Sequence, residues 1–214
     1  MSDAPLPAPP PRKRGRKPDP ALRLHIMEVA RDIIDEAGLD GLKARIVAKA
    51  AGTSVGTLYN TFGPIEDLVR LINADTCDAL HAHQSAALEA ARAESDDARL
   101  HLHALADGYL DWVGAHQRQW LATLSYNRKR AEAPPDWYAA RERALLDIVA
   151  DALTGFSAQM SDEARATAAF ALWASIHGIV SMSVGDGFRL QDGAAIRAQM
   201  AVIIDAVAAQ LEAD

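Results

Sequence analysis

Residues Lys43 to Asp67 constrain this chain more than any other stretch. Arg45 to Ala51 is short, alanine-rich and free of Gly and Pro, which suits a helix. Gly52 follows, at the point where a helix C-terminus often needs a left-handed residue. Thr53 and Ser54 can each cap the next helix with a side-chain oxygen. That helix is predicted from Ser54 to Thr61, with Leu58 and Phe62 four apart on its inward face. Gly56, Thr57, Tyr59, Asn60 and Thr61 are assigned to the outer face, where small or hydrogen-bonding groups have no buried purpose. Gly63-Pro64 ends it, and Pro64 suits the first position of a third helix. A short helix, a glycine turn and a second short helix with a polar outer face make the helix-turn-helix pattern.

Around this stretch the chain reads as all-α, with about nine helices. Alanine is abundant, and Gly and Pro sit at joints rather than inside apolar runs. No strand-like alternation persists. Asp19-Pro20 caps and opens a helix whose apolar residues Leu22, Ile26, Val29, Ala30, Ile33, Ile34 and Ala37 form one face, ending at Gly38. Further helices are predicted over 65–91, 98–115, 117–126, 136–154, 162–184 and 193–212, with Ser161 and Asp192 as caps of the last two and a turn at Gly185-Asp186-Gly187 between them. The last two are too apolar to stand free in solvent. The expected organisation is a disordered arm at 1–18, a helix-turn-helix domain at 19–66 and a larger helical domain at 67–214.

Charge is divided unevenly. The 214 residues carry a net charge of −7, yet residues 1–70 hold 11 Lys+Arg against 9 Asp+Glu and are net positive. The Pro-rich start disfavours helix. It contains Arg12, Lys13, Arg14, Arg16 and Lys17, five cations in six residues around one Gly. Such an arm can lie in a minor groove and pair with phosphates, and it can also serve simply as a solubilising tail. The single Cys77 excludes an internal disulfide and fits a reducing, cytoplasmic setting. No secretory leader and no uncharged apolar run of membrane-spanning length stand out, so a membrane location is not expected.

The stretch Ala48-Lys49-Ala50-Ala51-Gly52-Thr53-Ser54-Val55-Gly56-Thr57-Leu58-Tyr59-Asn60-Thr61-Phe62-Gly63 closely resembles the DNA-binding signature of the TetR-like repressors, whose core reads A-x-x-A-G-V-S-x-G-T-L-Y-x-x-F. Trp173…His177-Gly178 resembles the W-x-x-x-H-G element of one C-terminal class of these regulators. The resemblance implies a DNA-reading head, a helical effector-binding body and a homodimer through the last two helices. It implies a pseudo-palindromic double-stranded DNA operator as partner, and release by a small-molecule effector. Two positions depart from the family. Val55 and Ile65 stand where many members carry a phosphate-contacting Lys.

The outer-face reading and the resemblance agree on the DNA contacts. Thr57, Asn60 and Thr61 are candidates for base edges, and Gly56 lets backbone approach. Tyr59, Thr53 and Ser54 are candidates for phosphate, with Arg45 reaching the backbone from the first helix of the motif. The body offers Tyr109, Trp112, His116, Trp120, Tyr126, Trp137, Trp173 and His177 as candidate lining for an effector cavity. Taken singly, each ring is also ordinary core filling. As a group, large rings with polar tips suit an apolar or aromatic ligand.

Other classes have less to stand on. His81 with His83, and His101 with His103, are two apart on helices and point away from each other, so neither pair chelates one ion. No metal and no cofactor are expected. No G-x-S-x-G, P-loop or C-x-x-C occurs, and Cys77 lies in no recognisable motif, so catalysis is not expected. A DNA-binding architectural protein without an effector stands as the alternative, and behind it a small-molecule-binding protein or an enzyme.

Overall fold

The structure, a computed structural model, describes Pro7 and residues 19–156, 160–184 and 192–213. The basic run Arg12, Lys13, Arg14, Arg16 and Lys17 and the turn at 185–187 lie outside the described residues. Among the described residues there are nine α-helices and no strand: α1 (Pro20–Ala37), α2 (Ala44–Ala50), α3 (Val55–Phe62), α4 (Ile65–Glu94), α5 (Ala98–Ala115), α6 (Gln117–Lys129), α7 (Asp136–Ala152), α8 (Asp162–Val184) and α9 (Gly193–Ala213). Short 3-10 turns at Leu39–Gly41 and Leu153–Gly155, absent from the sequence reading, tighten the ends of α1 and α7. The caps are those the sequence offers. The Asp19 carboxylate accepts from the Ala21 N–H at 3.0 Å, the Ser161 hydroxyl from Ala164 at 3.2 Å, and the Asp192 carboxylate from Ala195 at 2.8 Å.

Contacts divide the chain into two compact units. The first takes the chain through Cys77 and then His116–Arg141; the second takes Asp78–Ala115 and everything from Glu142 onward. These units do not coincide with the expected domains at 19–66 and 67–214, which were drawn by function. Beside the helix-turn-helix the first unit takes in α6 and the start of α7.

In the first unit, Ile26, Ala30 and Ile34 of α1, Val47 of α2, Leu58 and Phe62 of α3, and Leu68 and Ile72 of α4 form one apolar core. Ala122 of α6 is buried in it and Tyr126 packs against it. Each fully buried aliphatic or aromatic side chain contributes about 1.5–3 kcal/mol relative to exposure. Polar contacts fix α6 in register. Arg118 donates to the Glu36 carbonyl at 3.2 Å, the Gln119 amide to the Asp35 carboxylate at 3.1 Å, and the Thr123 hydroxyl to Asn73 at 3.1 Å. Arg70 donates through Nε to the Tyr126 hydroxyl at 2.9 Å and pairs with Asp67 at 2.6 Å. Burial works to lower the Arg70 pKa, but the Tyr126 hydroxyl and the Asp67 carboxylate outweigh it and raise it above the ordinary value.

In the second unit, α5 supplies Leu102, Leu105, Tyr109, Trp112 and Val113, α8 supplies Leu172, Ile176 and Val180, and α9 supplies Ile196, Met200, Ile204 and Ala208. The α9 set recurs every fourth residue, so one stripe faces inward. Along the α5–α9 seam Arg197 bridges Asp107, at 2.6 Å, and Asp111, while Arg99 meets Glu212 at 2.8 Å and His103 meets Asp205 at 3.0 Å. The hydrogen bond to Asp107 raises the Arg197 pKa against a weaker opposing effect of burial, and Asp111 adds to the rise. These pairs are partly exposed and set register more than stability. Gly155 lets the turn after α7 close on α5, since an added Cβ would lie 2.7 Å from the Ala98 Cβ.

α8 and α9 correct one reading of the sequence. By length and composition each is apolar enough to cross a membrane, with a mean hydropathy of 1.4 over its most apolar window. Only 28% of that window in α8 and 22% in α9 is buried. Phe170, Met182 and Val202 stand exposed on them.

Candidate nucleic-acid interface and internal cavity

The α2–α3 turn is built by backbone. Ala51 N–H donates to the Val47 carbonyl at 2.9 Å and Thr53 N–H to the Ala48 carbonyl at 2.9 Å. Gly52 and Gly63 bracket α3 with φ of +62° and +80°, values that favour glycine. The Ser54 hydroxyl accepts from the Thr57 N–H at 3.0 Å and lies 2.9 Å from the Thr57 hydroxyl, so the N-cap and Thr57 are tied together. Leu58 and Phe62 are buried, and the Arg23 guanidinium lies 4.8 Å over the Phe62 ring.

On the opposite face Gly56, Asn60 and Tyr59 are exposed, Tyr59 at 47%. Ser54 is exposed, while Thr53 and Thr57 are half-buried. Arg45 is exposed on α2, as is Lys49 one turn further along the same face. Lys43, at the α2 N-cap, is exposed too. Lys43 and Lys49 were legible as cations beside the motif and add positive charge to its surroundings.

Thr61 corrects the sequence reading. It is 4% exposed and its hydroxyl donates to the Thr57 carbonyl at 2.8 Å. Position 61 is three residues after Leu58, so the helical period turns it inward with Leu58 and Phe62. It is not placed for a base contact. Ile65 also has a packing role, since it lies against the first unit's core, where a Lys would have to extend past it.

Three of the eight residues expected around a cavity line one in the second unit. Tyr109, Trp173 and His177 line a cavity of about 40 Å³ inside the second unit, with Gln84, Leu102, Leu105, Ala106 and further aliphatic side chains. The Tyr109 hydroxyl and His177 Nδ1 are 2.7 Å apart, and the His177 ring stacks on Trp173 with centroids 4.7 Å apart and planes 14° apart. Trp112 is buried in the same unit but is not among the lining residues.

His116, Trp120, Tyr126 and Trp137 belong to the first unit and line no part of this cavity. Trp120 is buried, Tyr126 holds Arg70, and Trp137 meets Tyr138 edge-on at 5.9 Å with Arg141 over its ring at 5.8 Å. α6, which carries Trp120 and Tyr126, packs with α1. Gln84 was missed although the pattern contains it. It falls midway between Leu80 and Leu88 on the α4 stripe, is buried, and donates to the Leu105 carbonyl at 3.5 Å. A polar residue at a core position of a regular stripe is the signal that could have found it.

Among the described residues no group of three or more His, Cys, Asp or Glu side chains is gathered as a metal site. His101 Nε2 faces the Ser95 carbonyl at 2.7 Å, and His103 is engaged with Asp205.

Comparison with known proteins agrees with both halves of this geometry. Residues 26–72 match the family of bacterial regulatory proteins described as the tetR family, and residues 102–207 match the tetracyclin repressor-like C-terminal domain. The W-x-x-x-H-G element falls within the second match. A Rhodococcus sp. RHA1 protein of unknown function is similar in structure, with a TM-score of 0.72, 24% identity and 94% of this chain covering 98% of that one. The TetR family transcriptional regulator PfmR from Thermus thermophilus is similar at a TM-score of 0.61 and 17% identity, over 86% of this chain and 97% of its own. The fatty acid degradation regulator FadR from Bacillus halodurans follows at 0.57 and 17%, over 88% and 97%. At these identities the likeness shows the fold. No curated protein matches the sequence. With a matching helix-turn-helix head and a matching C-terminal domain on one all-helical chain, the protein belongs to the TetR family of DNA-binding transcriptional regulators.

Proposed function

We propose that the protein is a cytoplasmic, homodimeric repressor that leaves a pseudo-palindromic operator when a small molecule enters the second unit. The observation that carries the reading is the outer face of α3, where Gly56, Tyr59 and Asn60 are exposed opposite an inner face of Leu58, Thr61 and Phe62. Asn60 reads a base edge, Gly56 permits backbone approach, and Thr57 supports both from its capped position. Tyr59, Thr53, Ser54 and Arg45 contact phosphates, and the basic arm with Arg12, Lys13, Arg14, Arg16 and Lys17 adds further phosphate contacts. The exposed apolar faces of α8 and α9 pair with their copies across a two-fold axis. A ligand in the cavity favours a head spacing that misfits successive major-groove faces.

The test is an anisotropy titration of the full chain on DNA from upstream of its own gene, with scrambled DNA beside it at two salt concentrations. Preference for the native fragment by orders of magnitude supports the reading. Equal weak binding to both, extended to fragments tiled across the neighbouring genes, sinks it. Repeating the titration without residues 1–17 should flatten the slope of log K against log salt by several units, at about 0.9 per lost phosphate contact. An unchanged slope removes the arm from the interface.

A further inference from the structure

We propose that Gln84 is the recognition residue of the cavity, and that it selects an apolar molecule ending in an amide-type group, a hydrogen-bond donor beside an acceptor. The proposal rests on the ligand-responsive reading above and names the chemistry of its ligand. Gln84 stands on the apolar stripe of α4, four residues after Leu80 and four before Leu88, and all three are buried. Leu or Met fills such a position without any hydrogen bond, whereas a buried amide needs partners for its polar atoms. The fold alone gives no reason for an amide here, and it satisfies this one poorly. Among the described residues the side chain makes one hydrogen bond, from Nε2 to the Leu105 carbonyl at 3.5 Å, long beside the usual value of about 2.9 Å. An amide offers two N–H donors and an acceptor oxygen, so most of its capacity is unused.

The unused groups have open space beside them. Gln84 lines the cavity of about 40 Å³, whose wall draws on α4, α5, α7, α8 and α9 within the second unit. Among the described residues, Asn73, Ser85 and Ser181 each hold a polar atom sealed in the packing without a partner, and Gln84 Oε1 is not one of these. The oxygen therefore stays reachable, and the cavity is the open space that Gln84 lines. The cavity is far below the roughly 300–1,000 Å³ of small-molecule sites, so a ligand must part its walls. The long bond to Leu105 yields readily as they part. The side chain then presents Oε1 and Nε2 side by side. A carboxamide or lactam presents the complementary pair, donating its N–H to Oε1 and accepting from Nε2 on its carbonyl oxygen, which is the two-bond pairing Gln makes with the donor–acceptor edge of adenine. A ketone of the same shape supplies only the acceptor and leaves Oε1 unmatched. Leu102, Leu105, Leu172 and Ile176 give the body of the ligand an apolar bed. The polar tips of Tyr109 and His177 belong to the same wall, and the experiment separates them from Gln84.

The probes are benzamide and acetophenone, which differ only in an amino group in place of a methyl. Binding to the full chain without DNA is followed by ligand-detected NMR. Benzamide should bind about fivefold or more tightly than acetophenone. Gln84→Met keeps the length of the side chain and deletes both polar groups, so it should reverse the preference while acetophenone binds at least as tightly as before. Gln84→Leu, a second apolar replacement, should give the same reversal. Thermal unfolding should find both variants at least as stable as wild type, since an apolar side chain suits the stripe between Leu80 and Leu88. Tyr109→Phe should move both affinities together and keep their ratio. The proposal is overturned by a wild type that does not prefer benzamide, or by a preference that survives both Gln84 variants. It is equally overturned if Tyr109→Phe abolishes the preference, or if neither probe binds. The DNA titration keeps the two readings apart. Operator binding without a preference for benzamide sinks the ligand inference alone, and a Gln84-dependent preference without any DNA preference sinks the repressor reading alone.

Discussion

Helices α3 and α8 leave opposite kinds of surface unpartnered. α3 turns Leu58, Thr61 and Phe62 inward and exposes Gly56, Tyr59 and Asn60. α8 buries Leu172, Ile176 and Val180, yet exposes Phe170 and Met182, and Ala174, Gly178, Ile179 and Met182 join Ile203 of α9 in an apolar groove. A polar outer face is ordinary for a surface helix, so on α3 it is the residue types and the flanking turn that point to a polar partner. An apolar outer face on a long helix is costly in water and points to a covering surface. Each helix therefore supports its own core with one face and leaves a different kind of surface exposed on the other.

The sharpest way to break the comparison on the α3 side is to remove its inner anchor. Phe62 is buried in the first unit's core, and Phe62→Ala should cost about 3–5 kcal/mol of stability. Chemical denaturation should show the loss, and DNA binding should fall with it. A variant that stays as stable as wild type would show that α3 is not held by this core.

On the α8 side, Met182→Glu places a charge in the exposed apolar groove without touching the cavity lining. Sedimentation should show monomer in place of dimer. Operator affinity should fall about a hundredfold or more, because one head reads only one half-site. A dimer that survives Met182→Glu would move the interface elsewhere.

The same two helices explain what was legible in the sequence. The α3 inner face follows a fixed period of Leu58 and Phe62, and the caps at Asp19, Ser161 and Asp192 follow from side-chain chemistry, so the helices were readable with small shifts at their ends. Thr61 was misassigned because its residue type suggested surface while its spacing from Leu58 required burial. The cavity was legible in kind and only partly in residues. Tyr109, Trp173 and His177 belong to it, but Tyr126 and Trp137 carry the same ring chemistry in the first unit. Ring type and polarity do not report which unit a helix joins. That is decided by contacts far apart in sequence, such as Gln119 of α6 with Asp35 of α1.

A smaller effect sharpens the outer face. Asn60 is exposed on α3 and makes none of the core contacts of Leu58 or Phe62. Asn60→Ala should lower operator affinity by about 1–3 kcal/mol, lost against the native fragment far more than against scrambled DNA. Stability should stay within about 0.5 kcal/mol of wild type. An equal loss on both DNAs would reassign Asn60 to phosphate contact.

The smallest effect is the most diagnostic of which face a residue belongs to. Thr61→Val keeps the shape of the side chain and deletes the hydroxyl that donates to the Thr57 carbonyl. That carbonyl retains its place in the helical ladder, so the expected cost is about 0.5–1.5 kcal/mol. A buried hydroxyl four residues along its own helix cannot also reach a base, so operator affinity and sequence preference should not move. If Thr61→Val instead relaxes specificity while stability holds, the inward face of α3 opens on binding DNA. The division between a face that holds the fold and a face that reads the operator would then not survive complex formation.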